Sequence, residues 1–142
     1  MILATHNGMR WLILLAAGYA LFTSYRGWLS QKPYDKRPGR VFTALLHIQL
    51  LVACAVYASS PLVHAAWRDM AATMHQRDLR FFSIEHPFQM LIAIAVATYG
   101  QYRARKSQSW KTAALSQTLA IALIATAIPW PFSSHPRRWL PF

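Results

Sequence analysis

Acidic residues are scarce in this chain. It has 142 residues, of which four are Asp or Glu and fifteen are Lys or Arg, so the formal net charge is +11. Only 13% of the residues are charged and 55% are hydrophobic, whereas a soluble domain carries about 25% charged residues. A strongly basic chain can bind nucleic acid, but here the basic residues lie in short segments between long apolar runs, the pattern that orients membrane helices. We therefore predict that the chain binds a lipid bilayer and no nucleic acid.

Cysteine and the common catalytic motifs are also missing. Cys54 is the single cysteine, which excludes an internal disulfide and a cysteine-based metal cage. The sequence has no phosphate-binding loop, no glycine fingerprint for a dinucleotide and no HExxH zinc motif. It has no CxxCH motif either, so any haem must be bound without a covalent link. No motif therefore predicts a stand-alone enzyme.

Four apolar runs are each long enough to cross a bilayer, which takes about 20 residues in a helix spanning about 30 Å of hydrocarbon. The runs cover residues 8–25, 41–63, 82–102 and 112–132. They predict an all-α membrane protein, a four-transmembrane-helix bundle that forms a single transmembrane domain over residues 1–142. Alanine is frequent in the fourth run, and small side chains allow helices in lipid to pack closely.

The basic residues predict how the bundle is oriented. The segments after the first and third runs together carry nine of them: Arg26, Lys32, Lys36, Arg37, Arg40, Arg103, Arg105, Lys106 and Lys111. Because positively charged segments stay in the cytoplasm, we expect both termini on the periplasmic side of a bacterial inner (plasma) membrane that the chain crosses several times. All 6 tryptophans fall at or just beyond a predicted helix end, where indole prefers the headgroup layer.

The segment between the second and third runs, residues 61–80, is too long for a tight hairpin. Trp67, Met70, Ala71 and Met74 recur in it at helical spacing, while most of its charged residues lie on another face. This pattern predicts a short amphipathic helix that lies on the outer membrane surface between helices two and three.

Polar side chains inside a bilayer are costly, so they are candidates for function. Seven such side chains stand near or within the apolar runs: His6, Arg10, His47, Gln49, Glu85, His86 and Gln89. Three further histidines fall in segments expected on the outer surface: His64, His75 and His135. Neutral imidazole binds zinc and copper well, so these three form a candidate outer metal patch.

The depth of each histidine in the bilayer predicts which of them can share a metal ion. At about 1.5 Å of rise per residue, His86 lies about 6 Å below the outer surface and His47 about 9 Å above the inner surface. Across a core of about 30 Å these two are separated by about 15 Å. His6 stands at the outer mouth of the first helix, so His6 and His86 are the best pair for one site.

Spacing along each helix predicts which side chains act together. His6 and Arg10 are four residues apart and share a helical face, whereas His47 and Gln49, two apart, do not. Arg10 can neutralise an anionic ligand group or a carboxylate such as Glu85. Simpler interpretations stay open: His6 as an interfacial residue, His47 as a hydrogen-bonded bundle residue, and His86, which precedes a proline, as a first-turn residue.

Several short motifs occur in a specific order along nearly the whole chain: His6 with Arg10-Trp11, Arg26-Gly27-Trp28-Leu29, Leu46-His47-Ile48-Gln49-Leu50-Leu51, Ser60-Pro61, Glu85-His86 with Met90, Gly100, and Ile128-Pro129-Trp130-Pro131-Phe132. In these features the sequence resembles a family of small four-helix bacterial membrane proteins labelled "cytochrome B". The resemblance implies a non-covalent haem b held by histidines in a helical bundle. It points to His6 and His86 as axial ligands on the periplasmic side, with His47 as a second-site or quinone-proximal residue.

Three functions from different classes follow from these features. The first is a haem-b electron-transfer protein of the inner membrane that exchanges electrons with quinone, in which Arg10 would pair with a haem propionate. The second is a non-catalytic accessory subunit of a larger respiratory or photosynthetic complex, whose partners would be other membrane subunits or a second copy of the chain. The third is a metal-handling protein that uses the outer histidines. An electron carrier or an accessory subunit is predicted ahead of a stand-alone enzyme.

Overall fold

The computed structural model describes residues 1–130. These residues form α1 (Ile2–Leu29), α2 (Arg37–Ser59), α3 (Pro61–Arg68), α4 (Met70–His75), α5 (Arg77–Arg80), α6 (His86–Ser107) and α7 (Trp110–Ala127). A π-helical turn over Phe81–Glu85 joins α5 to α6, so the helix is continuous from Arg77 to Ser107. No β-strand occurs in this part of the chain, and the predicted all-α class is confirmed.

The four long helices pack as a ring. Helix α1 contacts α2 and α7, and α6 contacts α7 and α2. The core between them consists mainly of alanine and branched aliphatic side chains: Ile13, Ala17, Ala20, Phe42, Leu46, Ala93, Ile94, Ala97, Ala120, Ile124 and Ile128. The small members of this set let the helix axes approach closely.

One glycine, Gly100, lies at a close contact between α6 and α7. A Cβ atom on Gly100 would overlap the side chain of Ser116. Ser116 is itself folded back onto its own helix, since its hydroxyl donates to the carbonyl of Thr112 at 2.9 Å. The absence of a side chain at Gly100 therefore sets the distance between these two helices.

Two stretches of the described chain are long and apolar enough to cross a membrane, judged by length and composition alone: Arg37–Ser59 and Arg77–Ser107. Helices α1 and α7 do not reach the same mean hydropathy. The second predicted run, 41–63, is shifted toward the N-terminus in the structure, because α2 begins at Arg37 and ends at Ser59. Proline at position 61 has no N–H to continue the helix and forces the residue before it into an extended conformation.

The predicted amphipathic helix is divided in the structure. Its residues belong to α3 and α4, which are separated at Asp69, where the backbone is extended (φ −138°, ψ 86°). The Asp69 carboxylate accepts a hydrogen bond from the backbone N–H of Ala72 at 2.9 Å and thereby caps α4. Thr73 is fully buried, and its hydroxyl donates to the carbonyl of Ala66 at 2.9 Å. The segment therefore consists of two short helices rather than one straight helix.

Candidate functional site

The structure brings His6 and His86 together at one end of the bundle. His6 lies in the second turn of α1 and His86 is the first residue of α6. Their ring centroids are 6.4 Å apart and the ring planes are nearly perpendicular, at 80°. Both side chains are half-buried. The sequence predicts that these two histidines lie at a similar level, and the structure places their rings near each other; that they share one ligand stays a prediction.

A backbone carbonyl determines which nitrogen of His86 carries the proton. The Nδ1 atom lies 2.8 Å from the carbonyl oxygen of Ala127, which can only accept a hydrogen bond. In the neutral ring, Nδ1 is therefore the donor and Nε2 keeps its lone pair. Ala127 is the last residue of α7, and the final carbonyls of a helix have no partner within it. Histidines that bind metals typically donate their second nitrogen to a carbonyl in this way.

His6 is held by α2 through its backbone. The side-chain amide of Gln49 donates to the His6 carbonyl at 2.8 Å, and Gln49 is buried, with 6% of its surface exposed. The Nδ1 atom of His6 and the Oε1 atom of Gln49 are buried without a hydrogen-bond partner among the described residues. A buried polar atom left unpaired costs about 1–3 kcal/mol. The two atoms belong to residues that one hydrogen bond joins, and each is available to contact a bound ligand.

The π-helical turn before His86 has a local cause in the sequence. Proline at position 87 has no N–H, so it cannot donate to the carbonyl of Ser83 one turn earlier. The hydroxyl of Tyr57 donates to that carbonyl instead, at 2.8 Å. The indole N–H of Trp67 donates in turn to the Tyr57 oxygen, at 2.9 Å. This chain of bonds fixes the backbone from which His86 projects, and π-helical turns of this kind are frequent at functional sites.

The two charged candidates near the pair have different roles. Glu85 forms an ion pair with Arg80 across the π-helical turn, with Nε and Oε1 2.6 Å apart, so the structure does not bring Glu85 to Arg10. The Arg10 guanidinium lies one turn after His6 and over the ring of Trp11, 5.2 Å from its centroid. Arg10 thus places a positive charge beside the histidine pair, while the Glu85 carboxylate stabilises the turn.

His47 does not join the pair. Its side chain is exposed, and its Nε2 atom lies 3.2 Å from the hydroxyl of Thr98 on α6. Thr98 is separated from His86 by about 18 Å along the helix axis, at 1.5 Å per residue. Gln49, two residues after His47, is buried and faces the opposite way. The structure therefore brings Gln49 to the site and leaves His47 on the outer face of the bundle.

The outer histidines also stay apart from this site. The Nε2 atom of His64 lies 2.9 Å from the carbonyl of Ala58, and His75 is exposed at the end of α4. His135 lies outside the described residues. Within residues 1–130, no group of three or more His, Cys, Asp or Glu side chains is arranged to hold a metal ion.

The donor set at the His6–His86 pair fits a haem better than a protein-ligated zinc ion. A structural zinc site takes four protein ligands, and here two imidazoles come together. Two imidazoles suffice when a porphyrin supplies the other four nitrogens. At about 2 Å per metal–imidazole bond, the two ligating nitrogens must lie about 4 Å apart. Ring centroids 6.4 Å apart are compatible with that separation.

Sequence reasoning missed three residues that support the site: Tyr57, Ser83 and Ala127. A signal was present for one of them, because a proline at position 87 predicts a free carbonyl at Ser83. Neither Tyr57 nor Ala127 carries such a signal, since their contacts depend on how α2 and α7 pack against α6. Comparison of the chain with models of known protein families, with curated proteins and with solved structures finds no match.

Proposed function

We propose that this chain is a four-helix integral membrane protein that holds a haem b between His6 and His86 at the periplasmic end and carries single electrons. The observation that carries the proposal is the paired imidazoles, one of which has its tautomer set by the Ala127 carbonyl. A haem bound there would supply one-electron redox chemistry. Quinone is the proposed exchange partner in the membrane. The resemblance to small "cytochrome B" proteins points to the same cofactor.

The surface of the bundle supports membrane placement of all four long helices. Large apolar side chains face outward on each of them, including Leu15 on α1 with 73% of its surface exposed, Leu51 on α2 with 72%, and Phe88 on α6 with 66%. Leu119 does the same on α7, with 54% exposed. A soluble protein rarely exposes apolar patches of this extent. Lipid contact therefore explains the outward face of α1 and α7 as well as that of the two more hydropathic helices.

The orientation is supported by contacts between the two basic segments. The indole N–H of Trp110 donates to the carbonyls of Lys32 and Pro33, at 2.9 and 3.1 Å. The segments that follow α1 and α6 therefore lie at one end of the bundle, and the histidine pair lies at the other. Because the basic end is expected in the cytoplasm, the proposed haem site faces the periplasm of a bacterial inner membrane.

Different residues of the chain would have distinct roles in ligation, positioning and charge at this site. The carbonyl of Ala127 holds the proton on Nδ1 of His86, which leaves Nε2 as the metal donor. Gln49 positions the backbone of His6, and the Tyr57 hydroxyl positions that of His86 through the π-helical turn. Arg10 offers a fixed positive charge for a propionate.

The test is a reduced-minus-oxidised visible spectrum of the full chain purified in detergent, with haem quantified as the pyridine haemochrome. We expect one haem per chain, lost in His6→Ala and in His86→Ala. His47→Ala is the matched control, because it removes a histidine from the same bundle away from the site. A preparation without haem, from cells supplied with haem and iron, would refute the proposal.

A second candidate, an accessory subunit of a larger membrane complex, is favoured by the His47–Thr98 pair. Both side chains are exposed on the outer face of the bundle, and polar groups that face lipid are costly unless a partner covers them. Another membrane subunit or a second copy of the chain would supply that cover. Native gel electrophoresis of mildly solubilised membranes tests this: we expect a larger assembly that dissociates in His47→Leu. A monomer in both the wild type and the variant would rule it out.

A further inference from the structure

A cleft lies at the end of the bundle opposite the histidine pair. It has a volume of about 410 Å³ and is lined by Tyr34, Asp35, Lys36, Arg37, Arg105 and Gln108. One wall is the segment between α1 and α2, and the other is the end of α6. None of these residues takes part in the proposed haem site.

The cleft is positively charged. Three of its six lining side chains are cationic and one is acidic. The Asp35 carboxylate accepts a hydrogen bond from the backbone N–H of Arg37 at 2.9 Å, so it helps to begin α2. In the described part of the chain, none of Lys36, Arg37 and Arg105 forms an ion pair with a carboxylate. Burial raises the pKa of the Tyr34 hydroxyl above its usual value, so this phenol stays neutral and adds no negative charge.

The walls of the cleft are held in place before any ligand binds. The Tyr34 ring packs edge-on against the ring of Trp110, with centroids 5.0 Å apart, and Trp110 is itself 9% exposed. A Cβ atom on Gly27 would overlap the Trp110 indole, so the absence of a side chain at Gly27 makes room for the indole. The side-chain amide of Gln101 donates to the carbonyl of Lys36 at 3.1 Å. A fixed site loses less entropy on binding than a mobile loop does.

The end of α6 is fixed in a similar way. Gln108 adopts a left-handed backbone conformation (φ 50°) that ends the helix. Its side-chain amide donates to the carbonyl of Arg105 at 2.6 Å. On the other wall, α2 begins at Arg37, and the first turn of a helix carries a partial positive charge. Three cationic side chains and a helix start therefore converge on one cleft with rigid walls.

We propose that this cleft binds the phosphate group of an anionic phospholipid of the inner leaflet, with Arg37 and Arg105 as its principal contacts. Guanidinium groups bind phosphate oxygens in a bidentate manner, through two parallel hydrogen bonds. Basic pockets between membrane helices at the cytoplasmic side are suited to such headgroups. A lipid is favoured over a soluble phosphate because the partly exposed Trp28 lies at the same end, and indoles mark the headgroup layer. The inference goes beyond the haem site and rests on the proposed membrane placement and orientation.

The full chain in a non-ionic detergent is titrated with short-chain phosphatidylglycerol, short-chain phosphatidylcholine or inorganic phosphate. Native mass spectrometry counts bound lipids, and tryptophan fluorescence follows thermal unfolding. We expect one phosphatidylglycerol per chain at low concentration, a higher Tm, and no comparable effect of phosphatidylcholine. Arg105→Gln should weaken phosphatidylglycerol binding by about fivefold, the effect of one cation near an anionic lipid.

Arg103→Gln is the matched control, because Arg103 is exposed on the same helix and does not line the cleft. Arg37→Gln, compared with Arg40→Gln, repeats the test on the other wall if Arg105→Gln fails to fold. Equal weakening by the cleft variant and its control would refute the site, since diffuse surface charge would then explain binding. Equal binding of both lipids would refute it too. Displacement of phosphatidylglycerol by inorganic phosphate would show that the cleft binds a soluble anion, and would refute the proposal that its ligand is a lipid. The haem spectrum should be unchanged in all four variants, which separates this test from that of the proposed function.

Discussion

The Nδ1 atom of His86 lies 2.8 Å from the carbonyl oxygen of Ala127, across the contact between α6 and α7. One hydrogen bond thus has two effects. It satisfies a carbonyl at the end of α7, and it leaves the other ring nitrogen of His86 as an acceptor. The stability of the bundle and the proposed ligand chemistry can be separated by substitutions that keep one effect and remove the other.

Asparagine at position 86 keeps an N–H donor near the place of Nδ1 but offers no ring nitrogen to a metal ion. In haem-free protein we expect His86→Asn to unfold within about 1 kcal/mol of the wild type, and His86→Ala to lose about 1–3 kcal/mol because the Ala127 carbonyl loses its partner. Denaturant unfolding followed by tryptophan fluorescence measures both. Neither variant should bind haem, and retention of haem by either one would contradict axial ligation by His86.

Gln49 is expected to support His6 without touching the metal ion. Gln49→Leu removes the amide that donates to the His6 carbonyl, so we expect a loss of about 0.5–1.5 kcal/mol in the free energy of unfolding and weaker haem retention during dialysis. His47→Leu, two residues away on the exposed face, serves as the comparison and should retain haem as the wild type does. Equal haem loss in the two variants would show that α2 has no specific role at the site.

Tyr57 and the proline at position 87 should be coupled, because the hydroxyl of one replaces the N–H that the other lacks. Tyr57→Phe leaves the Ser83 carbonyl unpaired, and we expect a loss of about 1–3 kcal/mol. Pro87→Ala restores an N–H one turn after Ser83, so Tyr57→Phe should be less damaging in that background. A double-mutant cycle measured by chemical unfolding gives the coupling. Strictly additive effects would mean that the hydroxyl does not compensate for the proline.

Alanine substitutions at two helical glycines, Gly100 and Gly18, are expected to have opposite effects on stability. Alanine at Gly100 would overlap Ser116 on α7, and overpacking of this kind costs about 1–3 kcal/mol. Around Gly18 on α1, no heavy atom lies within 4 Å of an added Cβ. Gly18→Ala should therefore stabilise the protein by about 0.4–1 kcal/mol, since alanine restricts the unfolded chain. Thermal unfolding in detergent compares the two variants. A destabilised Gly18→Ala together with an unaffected Gly100→Ala would disprove that Gly100 lies in a tight helix contact and Gly18 in open space.

Some properties of this protein follow from local sequence because they depend on length, composition and rise per residue. The positions of the four long helices are of this kind, and so is the level that a residue reaches along each helix axis. That level was enough to predict His6 and His86 as neighbours. The same reasoning predicts that the two basic segments lie at one end of the bundle. Successive helices alternate in direction, so the segments after the first and third helices are on the same side. The roles of His6 and His86 as ligands remain predictions.

Rotation about each helix axis was decided by tertiary packing. Phe42 and Leu46 pack into the core. Gln49, three residues after Leu46, shares their face of α2, whereas His47, one residue after Leu46, is turned outward. Glu85 pairs with Arg80 because the π-helical turn brings the two together. The break at Asp69 depends on local capping that competes with helical periodicity. Periodicity in a sequence gives the existence and length of a helix, but the direction of each polar side chain is set by the neighbours that the folded bundle supplies.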